Sequence, residues 1–175
     1  MNEIIRAMQE RRSIRKFKPE IPDKKILDEI AEAGLYAASG MGQQAVITLV
    51  VTNREIRDRL AEALRIVDGK EEGFDPFYGS PVILVVLADI RRKTRVYDGS
   101  LVLGNMMLAA HSLGLGSCWI HRAKNVFEQE EYSMRLKELG IEGDYEGIAF
   151  CALGYIDGEI PEAEPRKEHR IFYVE

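Results

Sequence analysis

The chain has 175 residues, enough for one domain with a sizeable core, and its 46% hydrophobic and 30% charged residues are an ordinary globular balance. A net charge of −5 argues against a generic nucleic-acid or anionic-membrane surface, and the longest apolar run, "VILVVLA" at 82–88, is far too short to span a bilayer. The charged opening "MNEIIRAMQERR" does not read as a secretory signal, Cys118 and Cys151 form no CxxC pair, and His111, His121 and His169 have no metal-ligand spacing; the expectation is a cytoplasmic, reduced protein without a metal site.

In chain order, Ile4, Ile5 and Met8 sit at helical spacing and predict a short helix over residues 2–10. "RRSIRKF" (11–17) follows, and its alternation of Ile14 and Phe17 with Ser13 and cations predicts a partly buried extended segment. In "PDKKILDEIAEAGLYAAS", Asp23 is a plausible N-cap, and Ile26, Leu27, Ile30, Ala31, Gly34, Leu35 and Ala38 form one apolar helix face. "SGMGQQ" (39–44) breaks that helix, "VITLVVT" (46–52) is a β-branched strand, and "NREIRDRLAEALRIV" returns to helical spacing with Ile56, Leu60, Leu64 and Val67 on one side. After the loop "DGKEEGFDPFYGS", the wholly apolar "PVILVVLAD" (81–89) predicts a central strand buried on both faces.

A helix over roughly 98–113 is apolar almost all round. Leu101, Leu103, Met106, Met107 and Leu108 are distributed around nearly its whole circumference, more than one sheet can cover, so a second chain is the expected cover. "GSCWI" reads as a short strand, "NVFEQEEYSMRLKELG" as one amphipathic helix, "GIAFCALGYI" as a buried strand, and "PRKEHRIFYVE" as a tail ending in an alternating extended piece. About five helices alternating with about four strands make residues 1–175 a single α+β domain around one mixed sheet.

Several stretches carry chemistry in their residue types. "RRSIRKF" surrounds the Ser13 hydroxyl with Arg11, Arg12, Arg15 and Lys16, the set that holds a dianionic phosphate; on composition alone it is equally a solvated basic turn. "EPRKEHR" (164–170) is a second basic cluster, or an ordinary charged tail. "GLGSCWIHR" (114–122) reads either as a tight turn into a core strand or as a strand end presenting backbone N–H groups and an indole to a flat ring. Gly40 and Gly42 permit close backbone approach to a ligand, or serve a plain helix–strand connection.

The order of these segments, "RRSIRKF", "AASGMGQQ", "FYGSPVILVV", "NMMLAAHSLGLGSCWI" and a looser "ALGY…PRK", resembles the FMN-dependent nitroreductase family over essentially the whole chain. The resemblance implies that family's α+β fold: a central mixed sheet surrounded by helices, in a homodimer with FMN at the interface. It implies an oxidoreductase using FMN with NAD(P)H as donor, working by ping-pong hydride transfer through flavin N5 to a nitroaromatic, quinone or similar small acceptor, with no covalent nucleophile from the protein. A flavin-storage protein with little turnover, or a specialised flavin reductase or dehalogenase, is the alternative.

By position, the resemblance makes Arg11 and Ser13, with Arg12 beside them, ligands of the phosphate or ribityl chain, and Arg15 the cation at the pyrimidine edge. Arg166 and Lys167 would complete the phosphate site. Trp119, Ile120, His121 and Arg122 would line the ring, mostly through backbone, and Ser39, Gly40, Met41 and Gly42 would come from the other subunit. One departure stands out: where the family loop reads P-S-x-x-N-x-Q-P-W, this chain has Gly42 for the asparagine, and Ala45 and Val46 for the proline and tryptophan.

Overall fold

In the computed structural model, which describes residues 2–175, the β-branched runs form one four-stranded sheet. Its strands are β1 (Val46–Val51), β2 (Val82–Asp89), β3 (Gly116–Ile120) and β4 (Tyr145–Gly154), in the order β1-β2-β4-β3. All eight residues of β2 are buried, as a strand covered on both faces requires. Burial of each large apolar side chain there contributes about 1.5–3 kcal/mol.

The three pairings are all antiparallel, which corrects the expected mixed sheet. Its only parallel contact among the described residues is the isolated bridge between Ser13 and Ser117. The reason lies between β1 and β2. Helix α3 (Arg54–Val67) carries the chain away from the end of β1, and the 68–80 loop carries it back. Arg57, near the start of α3, closes the circuit: its Nε donates to the Ser80 carbonyl at 3.1 Å, and its other nitrogens pair with Asp58 and Asp75. β2 therefore enters where β1 ended.

Helices cover both faces. Leu60 and Leu64 of α3, with α5 (Ala123–Phe127) and α6 (Glu130–Glu138), pack on one face around Phe77 and Phe150. On the other face lie α2 (Lys24–Leu35) and α4 (Arg95–Ser112). The single helix expected over 125–140 is broken at Gln129, whose backbone is extended (φ −77°, ψ 135°). The break lets Phe127 and Tyr132, five residues apart, meet in one core with ring centroids 5.5 Å apart; a continuous helix would turn them about 140° from each other.

The expectation for α4 needs a second correction. Leu103 and Met106 are fully buried within this chain. α2 covers them closely: a Cβ at Gly34 would lie 2.8 Å from Met106 Cγ, so glycine is what lets the two helices approach. The apolar surface that α4 leaves uncovered is smaller: Leu101 is exposed, and Met107 and Leu108 are half-buried.

Candidate active site

Helix α1 (Glu3–Glu10) ends at Arg11, and the cationic segment then runs extended along the β3 edge of the sheet. Ile14 donates its N–H to the Ser117 carbonyl at 3.0 Å, and Phe17 bridges Ile156 just past β4. Ile14 and Phe17 are buried anchors, so the intervening polar residues are held at one corner of the sheet.

The four cations there are not equivalent. Lys16 pairs with Asp157 at 3.0 Å. Arg12 turns back on α1, its Nη1 donating to the Gln9 and Arg11 carbonyls at 2.6 and 2.8 Å, which satisfies the helix C-terminus. Arg11 and Arg15 remain. Arg15 is exposed, its guanidinium 5.9 Å from the Tyr78 ring centroid. Arg11 is half-buried, and its Nη1 is shielded from solvent with no hydrogen-bond partner; the Ser117 hydroxyl, beside the Ser13 bridge, is likewise buried and unpaired. Arg12 Nε, on the same segment, is also buried and unpaired, as are Arg92 Nε and Arg95 Nε at the start of α4; such unpaired donors are costly and uncommon. Cys118 reports the convergence at this corner. Burial pushes its thiol up, and the Arg15 charge, a hydrogen bond with Ser13 and the Arg11 charge oppose that rise.

Beyond Ser117 the strand continues toward the expected ring contacts. Because Ser117 turns its carbonyl outward to Ile14, alternation puts the Trp119 backbone on the same side. Trp119 packs partly on the α2/α4 face, Ile120 is buried, and His121 is exposed. Arg122 has a left-handed backbone (φ 71°), and its Nε pairs with Asp68 at 3.0 Å.

The other expected contributors are elsewhere. The loop Ser39–Gly42 is fastened to the start of α4: Gly40 N–H donates to Asp98 Oδ1 at 3.0 Å, and Thr94 Oγ1 donates to Asp98 Oδ2 at 2.9 Å. Ser39 Oγ accepts the Gln44 N–H at 3.1 Å, while Met41 and Gly42 are exposed. This loop leads into β1, at the opposite edge and opposite end of the sheet from Ser13 and Ser117. Strand geometry separates the two corners by about 20 Å along the strands and about 14 Å across them. Arg166 and Lys167 lie in the exposed stretch 158–175, where Arg166 Nε donates to the Glu164 carbonyl at 3.0 Å.

The sequence reading missed Ser117 and Asp98. Ser117 looked like an ordinary strand residue, and only its place beside Ser13 singles it out. Asp98 did have a signal, an acid four residues after Thr94 in the first turn of a predicted helix. Among the described residues, no helix is long and apolar enough to cross a membrane, and no three His, Cys, Asp or Glu side chains are grouped to hold a metal ion.

The comparisons with known proteins agree with this architecture. A nitroreductase with bound FMN from Bacteroides fragilis superposes with a TM-score of 0.88 at 28% identity, covering 100% of both chains. One from Desulfitobacterium hafniense, also with bound FMN, gives 0.87 at 32% identity over 100% of both. The NADPH-flavin oxidoreductase of Vibrio harveyi is 31% identical over 179 aligned positions, 95% of this chain and 70% of that protein. The chain spans 60% and 53% of the length of relatives from Methanothermobacter thermautotrophicus and Bacillus subtilis. The pattern described as "Nitroreductase family" matches residues 8–155, most of the chain, and with the whole-length superpositions it makes this protein a member of the nitroreductase family.

Proposed function

We propose that the chain is an FMN-dependent NAD(P)H oxidoreductase that passes electrons to a small oxidised acceptor such as a nitroaromatic or quinone. The observation that carries this is the corner formed by Arg11, Ser13 and Ser117, with two buried donors lacking an acceptor, in a family whose solved members include FMN-bound proteins. A phosphate or ribityl oxygen is the acceptor these groups fit.

When bound, FMN supplies at N5 a hydride acceptor that NAD(P)H reduces and the oxidised substrate reoxidises. The residues of the chain bind and orient. Arg11, Ser13 and Ser117 hold the phosphate–ribityl end. Arg15, exposed beside the Tyr78 ring, serves the pyrimidine edge and favours negative charge developing there. The outward backbone at Trp119, with Ile120, His121 and Arg122 after it, flanks the ring. No buried acid or base is required, since His121 stands in solvent and water delivers protons.

The Ser39–Gly42 loop meets the flavin from a second copy of the chain. The separation of the two corners supports this, because one chain cannot bring both to a single flavin. Arg166 and Lys167, on an exposed arm, are available to the phosphate of either copy.

Titrating flavin-free protein with FMN tests the reading. A charge-assisted hydrogen bond contributes about 1.5–3 kcal/mol, so Arg11→Ala should weaken FMN binding about ten-fold or more. Arg12→Ala, which removes a helix-end contact instead, should leave affinity within about two-fold. Equal losses, or no uptake of FMN by the unaltered protein, would overturn the assignment.

A further inference from the structure

A second set of cations lies where β2 gives way to α4. The stretch "IRRKTR" (90–95) holds Arg91, Arg92, Lys93 and Arg95 and no acid. Two of the four are engaged. Arg91 Nε and Nη2 donate to the Asp89 carboxylate at 2.9 and 2.6 Å. Arg95 Nη2 pairs with Glu146 at 3.2 Å, a carboxylate that also takes Lys124 at 3.4 Å. Arg92 Nε is shielded from solvent without a partner, and neither Arg92 nor Lys93 makes an ion pair among the described residues. Asp89 feels the Arg92 charge, but the side-chain hydrogen bonds it accepts come from Arg91. Asp98 is turned to Gly40 and Thr94.

The turn that carries these two cations is fastened on both sides. Arg92 donates its N–H to the Asp89 carbonyl at 3.1 Å, and its own carbonyl accepts the N–H and Nη1 of Arg95, both at 3.3 Å. Its place in the fold matters as much. Thr94 touches the Ser39–Gly42 loop, since a Cβ at Gly40 would lie 2.4 Å from Thr94 Oγ1. Lys93 and Arg92 are one and two residues before Thr94, at most about 7 Å of chain. Tyr97, 71% exposed, stands one turn beyond Thr94 and offers a flat face of the kind on which a nucleobase stacks. A forked guanidinium with an unpaired Nε, an ammonium and an aromatic face, beside a loop assigned to the flavin, are the parts that hold a phosphorylated adenosine.

We propose that Arg92 and Lys93 receive the 2′-phosphate of NADPH, which makes NADPH the preferred hydride donor over NADH. The proposal rests on the shared flavin site above and adds which donor it takes and where. The two donors have the same nicotinamide, pyrophosphate and adenine. They differ only at the adenosine 2′ position, where NADPH carries a phosphate dianion and NADH a hydroxyl. Only a contact to that group tells them apart, and a free arginine is the side chain that accommodates the phosphate. Arg95 and Glu146 position the turn and do not themselves hold the donor.

The test uses FMN-loaded full-length protein. Calorimetry with 2′,5′-ADP and 5′-AMP reads the subsite without turnover. The first should bind at least about ten-fold tighter, and Arg92→Ala and Lys93→Ala should each bring it most of the way back to the second. Anaerobic bleaching of the flavin should show the same split. In either variant the half-saturating concentration of NADPH should rise about ten-fold, while that of NADH changes less than about two-fold. Lys137→Ala, an equal loss of charge on the exposed side of α6, should change neither donor. Equal binding of the two nucleotides, or variants that weaken NADH as much as NADPH, overturns the proposal. Variants that slow reoxidation by a phosphate-bearing acceptor such as free FMN, and leave NADPH untouched, overturn it too, because the cluster then serves the acceptor. The two readings fail separately: FMN-loaded protein reduced equally well by both donors loses only the 2′-phosphate site, whereas a chain that takes up no FMN loses the flavin site with it.

Discussion

Asp98 is the residue on which the Ser39–Gly42 loop depends. Its carboxylate is buried and accepts from the Gly40 N–H at 3.0 Å and the Thr94 hydroxyl at 2.9 Å. Replacing it with alanine removes two hydrogen bonds to a charged acceptor, about 1.5–3 kcal/mol each. Gly40 and Thr94 are only half-buried or exposed, so water recovers part of that, and a net loss of about 2–3 kcal/mol is expected. For a chain of this size each kcal/mol lowers Tm by about 2–4 °C, giving a fall of about 4–12 °C. Asp98→Asn keeps an acceptor and should lose about half as much. Gly40→Ala attacks the same joint from the other side, since a Cβ there would lie 2.4 Å from Thr94 Oγ1. Thermal unfolding of flavin-free protein measures the stability, and FMN titration measures the consequence at the site. If Asp98→Ala unfolds at the temperature of the unaltered chain and binds FMN as well, the loop is neither held by Asp98 nor part of the flavin site.

Three further outcomes are expected. Arg57 is buried and grips the Ser80 carbonyl and Asp75, so Arg57→Ala should cost about 3 kcal/mol in urea unfolding, and a loss below about 1 kcal/mol would contradict its bracing role. The Arg91 guanidinium, hydrogen-bonded to Asp89, holds that carboxyl down at about 2. A depressed carboxyl contributes stability above its unfolded value near pH 4 and loses it as pH falls through about 2, so the stability gap between the unaltered chain and Arg91→Ala should close over that window. A gap independent of pH would show that the pair contributes through packing. Burial pushes Cys151 up to about 12 and Cys118 in the same direction, so neither thiol should react with a disulfide reagent at pH 8 until the protein is unfolded; rapid labelling of one native thiol would refute the burial.

Much of the fold was legible because burial writes directly into sequence. β2 is apolar at nearly every position since both of its faces are covered, and the Leu60 and Leu64 stripe of α3 marks the side that meets the core. The sheet's sense was not legible, because it depends on the 68–80 loop returning to Arg57, a contact 23 residues apart in sequence. Nor was the break at Gln129, a residue with no helix-stopping chemistry; the pull of Phe127 and Tyr132 into one core decides it. α4 misled because an apolar circumference does not say which part its own chain covers. α2, admitted by Gly34, takes Leu103 and Met106, leaving Leu101 out. At the site, the sequence displayed four cations without ranking them. Distances separate Lys16, which is paired, and Arg12, whose Nη1 is engaged while its Nε is not, from Arg11 and Arg15, which make no ion pair among the described residues and so stay available.

The central claim, a flavin site made from the Arg11 corner of one chain and the Ser39–Gly42 loop of another, is tested most directly by mixing two defective variants. Arg11→Ala damages the first half. Met41→Glu damages the second, at a side chain 89% exposed in the single chain and so without cost to its own fold. In a two-fold dimer that shares its sites, each mixed pair contains one doubly defective site and one intact site. Equal mixing makes half the dimers mixed, so about a quarter of the full FMN-binding capacity should return, together with NAD(P)H oxidation. Capacity that stays at the level of the separate variants, with exchange of chains verified, would contradict the shared site.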